Sequence, residues 1–237
     1  MRARERGRQL LQAARATKGF MPDDEGLVLA SLAERATLAG FSSVVEIGAY
    51  CGRSTLYLAS GIAAAVIRGA SPAVVFSVDH HHGSEENQEG WKHHDPSLVD
   101  GATGRIDTLP AWRRTMEAVG ADDLAIAVVG DSPTIAARFG TTAGLVFIDG
   151  GHGPDPAWAD YRGWAPRVAE GGWLAIHDVF PDPAEGGRPP FEIYASALDS
   201  GEFEEDDLAR IGSLRALRRV SPPPRSRART HSAATLP

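Results

Sequence analysis

The 237-residue chain contains one cysteine, Cys51. That excludes an internal disulfide framework and any zinc site built on several thiolates, and it points to a reducing compartment. Aromatic residues make up only 7% of the chain, with tyrosine and phenylalanine scarce throughout. No run approaches the roughly 20 apolar residues of a membrane span. The N-terminus is rich in arginine but lacks an apolar signal core and a cleavage site, so the expected location is cytoplasmic, with no membrane partner. No internal repeat is visible. With 43% hydrophobic and 23% charged residues, the composition describes one globular domain with tails rather than a repeat array, a coiled coil or a disordered chain.

Positive charge is scarce except at the ends. The net charge is -7, yet residues 1–19 carry six basic side chains against Glu5, and residues 219–237 carry four arginines and no acid. The body between them is therefore near -16. Such a body repels phosphate backbones, which excludes nucleic acid as a substrate, and it suits cations.

From Arg2 to Ala16, arginines alternate with Leu10, Leu11, Ala13 and Ala14, which predicts an amphipathic helix and a candidate homodimer element. The segment 1–19 is read as a helical extension. The body runs from 20 to 220, and the Pro/Arg/Ser-rich remainder, 221–237, is expected to be disordered. Met21-Pro22-Asp23-Asp24-Glu25 supplies an acidic first turn for a helix from about Asp24 to Thr37. Short apolar runs then alternate with helix-length segments. The runs are Ser43 to Gly48, Val74 to Asp79, Leu124 to Gly130, Gly144 to Asp149 and Trp173 to Asp178. Their continuous Val/Ile/Phe character is that of strands covered on both faces. The stretches Phe203 to Leu208 and Ile211 to Val220 read as a closing antiparallel hairpin turning near Gly212. The expectation is a single-domain α/β fold, doubly wound and Rossmann-like, with a mostly parallel seven-stranded sheet.

The first strand leads into Glu46-Ile47-Gly48-Ala49-Tyr50-Cys51-Gly52-Arg53-Ser54. This lacks the three-glycine dinucleotide fingerprint, and a carboxylate at Glu46 would repel a pyrophosphate while suiting a cationic amino-acid group. Asp79, about 30 residues on, is placed to accept ribose hydroxyls. The stretch resembles the first motif of class I S-adenosylmethionine-dependent methyltransferases, closest to the catechol O-methyltransferase type. That resemblance implies that Gly48, Tyr50 and Ser54 line the methionine arm and that Glu46 faces it. It further implies that Asp79 binds the ribose, that Asp131 and Ser132 border the adenine, and that Cys51 is a packing residue.

Methyl transfer to a hydroxyl is an in-line displacement that needs an aligned oxygen and a proton acceptor. An aliphatic hydroxyl ionises poorly, so a divalent cation and a neighbouring base are the expected aids. Asp149-Gly150-Gly151-His152 ends the fourth strand and His177-Asp178 ends the fifth. This spacing resembles the metal-dependent O-methyltransferases, including bacterial sugar O-methyltransferases. It implies that Asp149, His177 and Asp178 hold Mg2+, or Mn2+, and that His152 is the general base. His177 stands where those families carry a carboxylate, so it is either a ligand that tilts preference toward Mn2+ or a brace for Asp178.

Between the second strand and the next helix lies a long polar segment, 80–107, with the run His80-His81-His82. It is expected to form a lid over the site, with His81, Glu85 and Trp91 meeting the acceptor. Its polar character, together with His152 in place of a lysine, favours a sugar or oligosaccharide acceptor; the 1-hydroxyl of a methylated mannoside is one candidate. A phenol or catechol methyltransferase, a nicotinamide-dependent oxidoreductase and a non-catalytic adenosine-binding module are the competing expectations.

Overall fold

The structure is a computed structural model and describes residues 2–182 and 184–220. The expected tail, 221–237, lies outside the described residues. Seven strands form one sheet: β1 (Ser43–Ile47), β2 (Val74–Asp79), β3 (Ala125–Val129), β4 (Ala143–Ile148), β5 (Val168–Ile176), β6 (Phe203–Glu205) and β7 (Arg215–Arg219). Their order is β3-β2-β1-β4-β5-β7-β6. β1 to β5 are parallel, and β7 pairs antiparallel with both β5 and β6. The expected fold class is therefore the observed one.

The two sheet faces follow from the two-residue strand period. Val44, Leu145, Phe147 and Trp173 face a core shared with α1 (Arg2–Ala16), α2 (Asp23–Leu38), α3 (Arg53–Ile67) and α4 (Leu109–Val119). Their strand neighbours Val45, Ile47, Val146, Ile148 and Leu174 face the opposite core, filled by α5 (Ser132–Ala136), α6 (Pro154–Trp164) and α7 (Arg188–Asp199). Leu10 and Ala14 of α1 are fully buried in the first core, so the apolar face expected to mark a dimer element packs within its own chain.

Several boundaries differ from the sequence reading, each for a local reason. Helix α6 stops at Trp164, short of the start of β5, because Pro166 lacks a backbone donor; a 3-10 turn, Ala165–Arg167, follows it. β5 begins five residues early at Val168, with an irregular register between Ala143 and Leu145 on its partner strand. The closing strands are not a simple hairpin. Between β6 and β7 lie a 3-10 turn, Asp207–Ala209, and a bridge from Ile211 to Leu214 that encloses Gly212. Among the described residues, no helix is long and apolar enough to cross a membrane.

Candidate active site

The carboxyl ends of β1, β2, β4 and β5 open into a cleft of about 1100 Å³ lined by Gly48, Tyr50, Asp79, Asp131, Asp149, His152 and Asp178 among others. It lies where the order of parallel strands reverses between β1 and β4, the usual ligand crevice of such sheets. The non-glycine residues with positive φ stand just past three of these strands: Tyr50 (47°), His81 (63°) and Asp178 (55°). Backbone strain of this kind clusters where side chains must be aimed at a ligand.

At the ends of β1 and β2, Asp79 has a backbone role that its sequence position does not reveal. Its carboxylate accepts the amide hydrogens of Ala49 and Tyr50, each at 2.9 Å, and that of His81 at 2.7 Å. It holds the turn after β1 and still lines the cleft. Asp131 caps α5 by accepting the Thr134 amide at 3.0 Å, and Ser132 Oγ accepts the Trp164 indole at 2.8 Å; both also line the cleft. Cys51 is buried against Leu98 and Ile106 of the long inserted segment, in keeping with a packing role.

Glu46 and Ser54 are buried and do not line the cleft, which corrects the expectation that they meet the methionine arm. Glu46 shares the α3 face with Val44. Its Oε2 accepts hydrogen bonds from Thr55, at 2.6 Å, and from Ser77, while Oε1 has no partner. Burial pushes this carboxyl up to about 7, against the neighbouring hydroxyls of Ser54, Ser77 and Thr55, which lower it. The folded chain therefore binds this proton more tightly than the unfolded chain. The associated stability is full below the ordinary carboxyl value and lost as pH rises through about 7. Glu46→Gln is expected to gain on the wild type between pH 5 and pH 8, by up to about 3 kcal/mol. Melting temperatures of both proteins across that range check it, and parallel curves would count against it.

At the ends of β4 and β5, one oxygen each from Asp149 and Asp178 and one nitrogen of His152 lie within 4.8 Å of one another. His152 Nε2 is buried 3.0 Å from Asp178 Oδ2, an ion-pair contact that lies off the angles of a formed hydrogen bond. Burial pushes the His152 imidazole down, but the nearby negative charges of Asp178, Asp149 and Glu86 prevail and raise it. The carboxyl of Asp178 is correspondingly held far below the usual range: burial raises it, and His152 and His177 more than offset that.

His177 is not free to bind a cation, which corrects its expected place among the ligands. Its Nδ1–H donates to Asp149 Oδ1 at 2.9 Å and its Nε2–H to Glu25 Oε2 at 2.6 Å. Carboxylates only accept, so both ring nitrogens must carry hydrogen. Burial lowers its proton affinity, but Asp149, Asp178 and Glu25 together raise it well above the ordinary histidine value. The donor set that fits a divalent cation is therefore Asp149 and Asp178, with His152 Nε2 beside them.

The inserted segment is more ordered than a plain lid. It contains 3-10 turns at Glu85–Asn87 and Pro96–Leu98, a bridge from Val99 to Ile106 and an ion pair from Asp95 to Lys18. Glu85 lines the cleft. His81 and Trp91 do not. His81 is buried, with Nδ1 bound to Thr108 Oγ1 at 2.7 Å, and Trp91 is 51% exposed outside the cleft wall. The expected lid contacts of these two side chains with the cleft are thus not seen. The positions go instead to residues the sequence reading passed over: Phe20, Glu86, Lys92 and His93. Asp160, also passed over, is buried in the cleft wall, where burial pushes its carboxyl up to about 6.

Comparison with known proteins gives a match to the family described as "Methyltransferase domain" over residues 45–179, more than half of the chain. Among solved structures, an O-methyltransferase from Bacillus cereus in complex with SAH is similar at 16% identity, covering 91% of each chain with a TM-score of 0.58. Cofactor-bound Rv0187 from MTB is similar at 16% identity, covering 93% of this chain and 90% of that one, with a TM-score of 0.57. The O-methyltransferase TomG from Streptomyces achromogenes, in complex with SAM and involved in tomaymycin synthesis, is similar at 14% identity. It covers 92% of this chain and 90% of its own, with a TM-score of 0.56. At these identities the likeness is one of fold.

Proposed function

The chain belongs to the methyltransferase domain family, and from that membership we propose that it is an S-adenosylmethionine-dependent O-methyltransferase whose acceptor is a sugar or oligosaccharide hydroxyl. The observation that carries this reading is the convergence of Asp149, His152 and Asp178 in the same cleft as the Gly48–Gly52 turn. The donor is supported by similar structures that hold S-adenosylmethionine or its product. The cleft, about 1100 Å³, slightly exceeds the roughly 300–1,000 Å³ of ligand pockets, so a donor leaves room for an acceptor.

S-adenosylmethionine supplies an electrophilic methyl group when bound. A divalent cation held by Asp149 and Asp178, Mg2+ or Mn2+, would supply Lewis acidity toward the acceptor hydroxyl. The chain's own task is to orient that hydroxyl and take its proton. His152 Nε2 is placed to receive it, and the carboxylates around the ring stabilise the imidazolium that results. The turn held by Asp79, with Asp131 and Ser132 farther along the cleft, is placed to hold the donor. A sugar acceptor is supported by the polar wall from the inserted segment, Glu85, Glu86, Asn87, Lys92 and His93.

Radiolabelled methyl transfer to a panel of methyl mannosides and catechols tests this reading. Transfer to a mannoside is expected, falling at least twentyfold in EDTA and returning with Mg2+ or Mn2+. Turnover of catechols alone would overturn the sugar acceptor, and indifference to chelation would overturn the cation.

A further inference from the structure

Glu25 lies in the first turn of α2 and is 3% exposed, although nothing around it in the sequence marks it as more than a helix-start acid. It sits behind the active site, on the side of the sheet facing α2, and it reaches the cluster by two arms. Through Oε2 it accepts the Nε2–H of His177 at 2.6 Å, and His177 passes the contact to Asp149 Oδ1 at 2.9 Å. Through Oε1 it accepts the Ser213 amide at 2.5 Å, which fixes that residue; the single Ser213 hydroxyl hydrogen lies between Oε1, 3.2 Å away, and Asp178 Oδ1, 3.5 Å away. One buried carboxylate is thus linked to both acids of the cluster.

The surrounding chain is shaped to receive it. Gly212 has φ 48°, and a Cβ there would overlap Oε1 of Glu25 and lie 3.0 Å from its Cδ. α2 is tied to the same β6–β7 connection by Arg35, which donates to Asp206 at 2.7 Å, while Trp173 of β5 donates to that acid at 2.8 Å. The helix, the connection and the end of β5 are therefore one rigid mount.

We propose that Glu25 is a positioning residue of the cation cluster, acting through His177 on Asp149 and through Ser213 on Asp178. The proposal rests on the reading that Asp149 and Asp178 hold a divalent cation. Without Glu25, His177 loses the partner that fixes its ring, and Asp149 Oδ1 loses its fixed donor. The two acids then pay in orientation for every cation they bind. Partners of this kind behind the ligands are worth ~10–100-fold in metal affinity.

The test is Mn2+ binding to the full chain in the presence of S-adenosylhomocysteine, followed by electron paramagnetic resonance. Glu25→Gln keeps the shape and removes the charge. Its Mn2+ affinity is expected to fall at least tenfold, with S-adenosylhomocysteine affinity within twofold of wild type. Ser213→Ala, which spares the backbone bond to Glu25 and serves if the first variant fails to fold, is expected to lose about threefold. A merely structural Glu25 would lower the melting temperature and leave Mn2+ affinity within twofold in the variants that fold, and that result overturns the proposal. A wild type that binds no Mn2+ sinks the cation reading and the proposal together, whereas equal binding by wild type and both variants sinks the proposal alone.

Discussion

Replacing His152 with alanine is expected to cut methyl transfer about a thousandfold, in the middle of the 10²–10⁴ range typical of a lost general base. Affinity for S-adenosylhomocysteine and for Mn2+ should stay within threefold of wild type. Two features of the site set this apart from simple loss of a polar side chain. Nε2 is buried at 3.0 Å from Asp178 Oδ2, off the angles of a formed hydrogen bond, so it faces the cluster rather than being held in a structural bond. Nδ1 is 3.7 Å from Glu86 Oε1, an acid brought in by the inserted segment. Turnover and binding read out different roles. A base is missed only in turnover; a ligand is missed first in cation affinity. A tenfold loss of Mn2+ affinity on His152→Ala would make His152 a ligand and remove the base from the mechanism.

The sheet was legible because each parallel strand is a short continuous apolar run ending in a glycine or an acid, and no other element here has that form. Its ends were less so, since Pro166 and the irregular pairing near Ala143 act through backbone geometry that periodicity does not register. Asp149, His152 and Asp178 could be placed together because consecutive strands are neighbours in this sheet and strand ends share one edge. Glu46 was misplaced for a reason also present in the sequence. It alternates with Val45 and Ile47, so it belongs to the α3 face with Val44 and not to the strand-end crevice. The inserted segment gave its polarity but not its contacts. Which of its histidines and acids reach the cleft depends on two 3-10 turns and on the docking of Leu98 and Ile106 against Cys51. Glu25 was hidden altogether, 152 residues from the histidine it holds. Only tertiary packing brings the two together.

Gly48→Ala is expected to cost at least about 3 kcal/mol of stability, a large loss for one methyl group, and to weaken S-adenosylhomocysteine at least tenfold. Gly48 has φ 88°, where any side chain is strained. In addition, a Cβ there would overlap the Asp149 carbonyl oxygen and lie 2.6 Å from its carbonyl carbon and 3.0 Å from Gly150 Cα. All three are backbone atoms, so no rotamer change relieves the clash. Nor can the strand ends part cheaply, because the Gly48 amide is bonded to Val78 at 3.0 Å and the Asp149 amide to Ile47 at 2.9 Å. Relief must come from moving Asp149 away from β1, which opens the donor turn and displaces a member of the acceptor cluster in one movement. Gly40→Ala isolates the conformational part of the cost. Gly40 has φ 91° with nothing within 4 Å of an added Cβ, so it should lose only about 1–2 kcal/mol. Urea unfolding of both variants, with calorimetric binding of S-adenosylhomocysteine, makes the comparison. Equal losses in the two would mean that β1 and β4 are not in contact at the site and that the close approach contributes nothing to donor binding.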